Sequence, residues 1–124
     1  MATILIADDS ATVRVLLTKM LAPLGHRILC VSDGEEAARA LTQSGQDRPD
    51  LVLLDVVMPK QNGFELCRAL KSDPATARIK VFFVTSLTGE PDRYWGMKQG
   101  ADEYITKPVD PQQLLDKVRA QLSA

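Results

Sequence analysis

A chain of 124 residues has room for one hydrophobic core and is short for two. With 45% hydrophobic and 25% charged residues it is composed like a globular protein, and a formal charge of −1 excludes the basic excess of general nucleic-acid or anionic-membrane surfaces. No apolar run reaches transmembrane length, and MATILIADDS meets two acids too early for a secretory leader, so the expected location is cytoplasmic, with no membrane insertion.

The first apolar run, TILIA (3–7), has strand length and stops at Asp8 and Asp9. After Ser10, Val13, Leu17, Met20, Leu21 and Leu24 fall at helical spacing, and Pro23 with Gly25 closes that helix. RILCV (27–31) makes a second strand. Asp33, with Glu36 three residues on, reads as the capped start of a helix over EEAARAL. DLVLLD (50–55) lacks period-two alternation, as expected of a parallel strand covered on both faces. Phe64, Leu66, Cys67 and Leu70 share one side of a helix from Gly63 to Lys71. IKVFFVT (79–85) gives a fourth strand, PDRYWGMKQG (91–100) a fourth helix and EYIT (103–106) a weaker fifth strand. Asp110, Pro111 and Gln113 mark the last helix start, whose buried stripe is Leu114, Leu115, Val118 and Leu122. Cys30 and Cys67 both lie in apolar-patterned segments without metal-thiolate spacing, and read as small reduced hydrophobes.

Five strands alternating with five helices predict an α/β fold, a doubly wound five-stranded parallel sheet with helices on both faces. No linker, repeat or low-complexity tract divides the chain, so residues 1–124 are expected to form a single domain with no output domain.

In such a sheet ligands bind beyond the carboxyl ends of the strands. Those ends carry Asp8 and Asp9, Asp55, Thr85 with Ser86, and Lys107-Pro108. Asp55 closes a run suited to burial, where an unpartnered carboxylate is expensive, so compensating cations are expected beside it. Converging carboxylates repel one another and favour a hard divalent cation, most simply Mg²⁺. A lysine and a threonine opposite them suit a second anion, for which a phosphoryl group is the natural candidate. Asp55 is then placed to act as a nucleophile.

ADDS (7–10), LLDVVMPKQNG (53–63), VTS (84–86) and YITKP (104–108), in this order and at these spacings, resemble the receiver domain of two-component response regulators, the CheY-like family. The likeness runs from about Ile4 to Leu122 and implies a flavodoxin-like strand order of 2-1-3-4-5. It implies that Asp55 is the phospho-acceptor, taking a phosphoryl group from a kinase phosphohistidine. Asp9 would bind Mg²⁺ directly, Asp8 through water, and the Val57 backbone carbonyl would add a ligand. Lys107 would pair with Asp55 and then with the phosphoryl oxygens, and its bond to Pro108 would be cis. Thr85 would hydrogen-bond the acyl phosphate, and Tyr104 would turn from outside to inside as the aromatic switch.

The implied partners are a sensor histidine kinase, CheA-like kinases among them, or a histidine phosphotransfer protein, together with a downstream protein target. Output is expected through the face of the fourth helix, fifth strand and fifth helix, where Trp95 beside Tyr94 and Met97 reads as a partner anchor, with Tyr104. The WG-x-x-QGA stretch (95–101) further resembles stand-alone PilH-like regulators of type IV pilus motility. A monomer or weak phospho-dependent dimer is expected, and no nucleic-acid partner. The protein is expected not to be an enzyme beyond catalysing its own phosphorylation and dephosphorylation. A phosphorelay intermediate passing its phosphoryl group to a histidine phosphotransfer protein is the alternative. A hydrolase of the same sheet type lacks its second acid, since Val57 stands two residues after Asp55. A nucleotide binder lacks the glycine-rich loop, since ADDSAT follows the first strand. Val57 and Leu87, each two residues beyond a key position, are apolar where polar residues can orient attacking water, which predicts a long-lived acyl phosphate. His26 reads as an ordinary surface histidine.

Overall fold

The computed structural model describes residues 1–43 and 48–122. Its five strands are β1 (Thr3–Ala7), β2 (Arg27–Val31), β3 (Leu51–Leu54), β4 (Lys80–Thr85) and β5 (Glu103–Thr106). All pair in parallel, in the order β2-β1-β3-β4-β5 that the resemblance implies. The helices are α1 (Ala11–Leu21), α2 (Gly34–Thr42), α3 (Gly63–Ser72), α4 (Glu90–Lys98) and α5 (Pro111–Leu122).

Successive side chains of a strand point to opposite faces, so the central strands feed two cores at once. Leu5, Ala7, Val52, Leu54, Val81 and Phe83 meet Ala37 and Leu41 of α2 and Leu66, Cys67 and Leu70 of α3. Ile4, Ile6, Leu51, Leu53, Phe82 and Val84 meet Leu17 and Leu21 of α1 and Leu114 and Val118 of α5. Every residue of β1 and β3 is buried, which is why neither reads as an alternating strand. The edge strand β2 differs: Cys30 is exposed, with the Thr18 hydroxyl 3.7 Å from its sulfur, and only Cys67 is buried as expected. With a neighbour on one side only, β2 leaves that thiol uncovered.

The helix starts follow the polar signals in the sequence. Ser10 accepts from the Val13 N–H at 3.3 Å and Asn62 from the Glu65 N–H at 2.9 Å. Asp33 accepts from the Glu36 N–H at 2.8 Å, while the Glu36 carboxylate turns back one residue further than a simple box, to Ser32 N–H at 3.1 Å. Asp110 accepts from the Gln112 N–H at 2.9 Å. The fourth helix begins and ends earlier than its sequence pattern, and Gly100, at φ 100°, lies beyond it in the left-handed region. Likewise β3 stops one residue short, leaving Asp55 outside the strand, although its N–H still donates to the Ala7 carbonyl at 3.0 Å.

Candidate functional site

That last bond extends the β1–β3 ladder and delivers Asp55 beside Asp8 and Asp9, which follow β1. Carboxylate oxygens of Asp8, Asp9 and Asp55 lie within 4.8 Å of one another. Asp8 and Asp55 are buried and Asp9 is exposed, so the cluster opens to solvent through Asp9. Lys107 arrives from the end of β5, its N–H donating to the Thr85 carbonyl at 2.9 Å, and its bond to Pro108 is cis.

The lysine ammonium donates to Asp8 at 2.8 Å and to Asp55 at 3.3 Å. The expected pairing with Asp55 is present, and Asp8 is a second, shorter partner. The Asp8 carboxylate also accepts from the Ser10 N–H at 2.9 Å, and its carbonyl accepts from Arg14 Nη1 at 2.7 Å. Arg14, on the first turn of α1, is a residue that sequence reasoning passed over, because its contact is to backbone.

Burial lifts the Asp55 carboxyl above the ordinary range; Lys107 pulls it down, and the Asp8 charge pushes it up again. For Lys107, desolvation acts downward, but the bonds and charges of Asp8 and Asp55 outweigh it and hold the ammonium above the ordinary lysine value. The site thus keeps a cation wedged between two acids, one of which is reluctant to ionise. Such a donor set, three carboxylates against one ammonium and so two charges short of neutral when all are ionised, fits a divalent cation.

The loop after Asp55 is fixed from two sides. The Gly63 N–H donates to the Val56 carbonyl at 2.8 Å, and a Cβ on Gly63 would collide with the Asp55 carbonyl oxygen. Only glycine lets α3 begin so close to the site. Lys60, at φ 76°, stands 3.6 Å from Asp33 at the start of α2. Val57 is 61% exposed beside Asp55, and its N–H approaches the Asp55 carboxylate at 3.4 Å.

Thr85 is fully buried at the end of β4, its hydroxyl accepting from the Leu87 N–H at 3.2 Å. Tyr104 is also buried, and its hydroxyl donates to the Leu87 carbonyl at 2.7 Å. The ring is therefore in the inside position of the expected switch. Leu87 was read from sequence for its side chain; its backbone is what joins the two switch residues. Trp95, Tyr94 and Met97 are exposed on α4, away from the acids. His26 is half-buried and accepts from the Ala2 N–H at 3.1 Å, remote from the site.

The family model for the response regulator receiver domain matches residues 4–119. The chain is 46% identical to the protein PilH of Pseudomonas aeruginosa over 123 residues, covering 99% of each. It is 42% identical to the response regulator PleD of Caulobacter vibrioides, of which it spans 26%. Among solved structures, the chemotaxis response regulator CheY4 of Vibrio cholerae superposes with a TM-score of 0.86 at 28% identity, covering 98% of this chain and 99% of that one. The BeF3 activated DrrB receiver domain gives 0.88 at 28% identity, over 100% and 99% of the two chains. With fold, acidic cluster and sequence in agreement, the chain belongs to the response regulator receiver domain family.

Proposed function

We propose that the protein is a phospho-acceptor switch, residues 1–124 acting as one domain, which takes a phosphoryl group from a phosphohistidine onto Asp55. The observation that carries this reading is the set of Asp8, Asp9 and Asp55 oxygens within 4.8 Å, with Lys107 donating to two of them. In the transfer, an Asp55 oxygen forms a bond to phosphorus as the histidine N–P bond breaks, and the electron pair leaves with the imidazole. Asp9, Asp55 and the Val57 carbonyl, with Asp8 through water, would hold Mg²⁺, which would supply charge neutralisation for the phosphoryl oxygens.

The chain's own residues do the rest. Lys107 neutralises charge on Asp55 and swings from carboxylate to phosphoryl oxygen as charge moves there. Thr85 offers its hydroxyl proton, since that oxygen is only an acceptor toward Leu87. Output passes by protein binding at the α4–β5–α5 face, where Trp95 and Tyr94 provide aromatic anchors. The likeness to PilH supports a setting in pilus motility, and the receiver family implies a histidine kinase, CheA-like or other, or a phosphotransfer partner. No described helix is long and apolar enough to cross a membrane, which agrees with a cytoplasmic setting.

Incubation with Mg²⁺ and acetyl phosphate, read by intact mass, tests this. One phosphoryl group should be gained, and none in Asp55→Ala or after chelation of Mg²⁺. Equal uptake by Asp55→Ala would place the chemistry elsewhere, and no uptake by the wild type would leave a receiver fold without receiver chemistry.

A further inference from the structure

The strands whose ends gather the acids begin at the opposite pole of the sheet, and a cleft opens there. Its volume is about 590 Å³, and small-molecule sites run from roughly 300 to 1,000 Å³. Thr3 at the start of β1, Asp50 just before β3 and Ile79 just before β4 line it.

Hydrogen bonds hold this end of the sheet in place. The Asp50 N–H donates to the Thr3 carbonyl at 2.8 Å, and the Thr3 N–H returns to Asp50 Oδ2 at 2.8 Å. The Lys80 N–H donates to the Asp50 carbonyl at 3.0 Å. The second carboxylate oxygen, Oδ1, has no hydrogen-bond partner among the described residues.

Two arginines line the same cleft. Arg48 is half-buried, and its Nε donates to the Leu41 carbonyl at 3.3 Å, which anchors the guanidinium by its inner nitrogen. Arg78 is exposed and has no hydrogen bond or ion pair among the described residues. Neither arginine pairs with Asp50, although all three face one space. Opposite charges held apart in this way keep their bonding capacity for a ligand. An adjoining cleft of about 430 Å³ shares Asp50 and Arg78 and adds Lys80. Positive charge therefore exceeds negative here, in a chain whose total is −1.

Guanidinium forks match the oxygens of a phosphate. A bare phosphate would face the Asp50 carboxylate with no donor to offer it, so the ligand must also carry hydroxyl or amino groups. Pro49, Pro74 and Ile79 complete the lining with apolar surface on which a flat ring can rest. Anion, donor and ring together describe a nucleotide.

We propose that this cleft binds a nucleoside phosphate, with the phosphate on Arg48 and Arg78 and a ribose or base donor on Asp50. Asp8, Asp9 and Asp55 follow the other ends of β1 and β3, so occupation of the cleft leaves them open. Binding here does not depend on the chemistry at Asp55.

ADP is the probe, titrated into the full chain at constant ionic strength while backbone amide spectra are recorded. EDTA is present, so that no metal holds the nucleotide at the acids. The amides of Thr3, Asp50 and Ile79 should shift and saturate, and those of Asp8, Asp55 and Lys107 should stay in place. Loss of a charge-assisted pair in Arg78→Ala should weaken ADP by about tenfold or more. Adenosine and inorganic phosphate, each carrying half of the ligand's chemistry, should both bind more weakly than ADP. Shifts confined to the acids, shifts that do not saturate, or phosphate binding as tightly as ADP would overturn the proposal. Undiminished ADP binding to Arg78→Ala would overturn it as well. Should that variant fail to fold, the native shifts and the comparison of the three probes decide.

Discussion

Asp55 pays for its reactivity with an unfavourable surrounding: its side chain is 9% exposed, and its carboxyl is held above the ordinary range. A carboxylate whose folded pKa exceeds its unfolded one keeps a proton that the unfolded chain has released. Stability then falls as pH rises from about 4, the unfolded aspartate value, through the folded one. With Mg²⁺ chelated, Asp55→Asn should therefore raise the thermal midpoint at pH 7, and the gain should fade as pH drops below about 4. A lower midpoint at pH 7 would show that Lys107 more than offsets the burial of the charge. Beside Asp55, the exposed Val57 and half-buried Leu87 offer attacking water no polar partner. The acyl phosphate should persist for minutes or longer at neutral pH, and Val57→Asn should shorten it; decay within seconds in the wild type would contradict this.

At the scale of elements, the caps hold the loops that carry the site. Asn62 caps α3 immediately after the loop that follows Asp55. Asn62→Ala should cost about 1 kcal/mol in chemical denaturation, with the slope unchanged. At the start of α2, the Glu36 N–H lowers the Asp33 pKa, and bonds from Ser32 lower that of Glu36. Carboxylates with depressed folded pKa values contribute stability that is present above their unfolded values and lost as pH falls through the folded ones. The acid limb of the stability curve should thus flatten below about pH 4 in Asp33→Ala; a parallel limb would assign acid unfolding to other groups. Because Gly34 donates to the Pro59 carbonyl at 3.1 Å, this helix start also braces the loop next to the site.

For the whole molecule, stability and output lie in separate places. Leu53 is 1% exposed in the core between the sheet and helices α1 and α5, and Leu53→Ala should cost about 2–5 kcal/mol by equilibrium denaturation. Trp95 is 51% exposed, and Trp95→Ala should change stability by no more than about 0.5 kcal/mol while weakening binding of a target at the α4 face. A large stability loss on removing Trp95 would instead make it part of the packing.

The local pattern of the chain determined the five strands, the five helices and the strand ends at which acids, threonine and lysine stand. Buried parallel strands demand continuous apolar runs, helix starts demand short polar caps, and both are written in consecutive residues. What consecutive residues could not decide is how groups far apart share space. Lys107 and Asp8 are 99 positions apart, and their bond at 2.8 Å exists because β1 and β5 end on the same side of one sheet. The exposure of Cys30 follows from β2 being an edge, a property of the sheet and not of RILCV. The buried ring of Tyr104 lies where a Cβ on Gly96 would come within 2.8 Å of it and donates to the Leu87 carbonyl, and neither contact leaves a mark in the pattern of β5 itself. Periodicity encodes burial along one element; contacts between elements are fixed only when the tertiary structure brings them together.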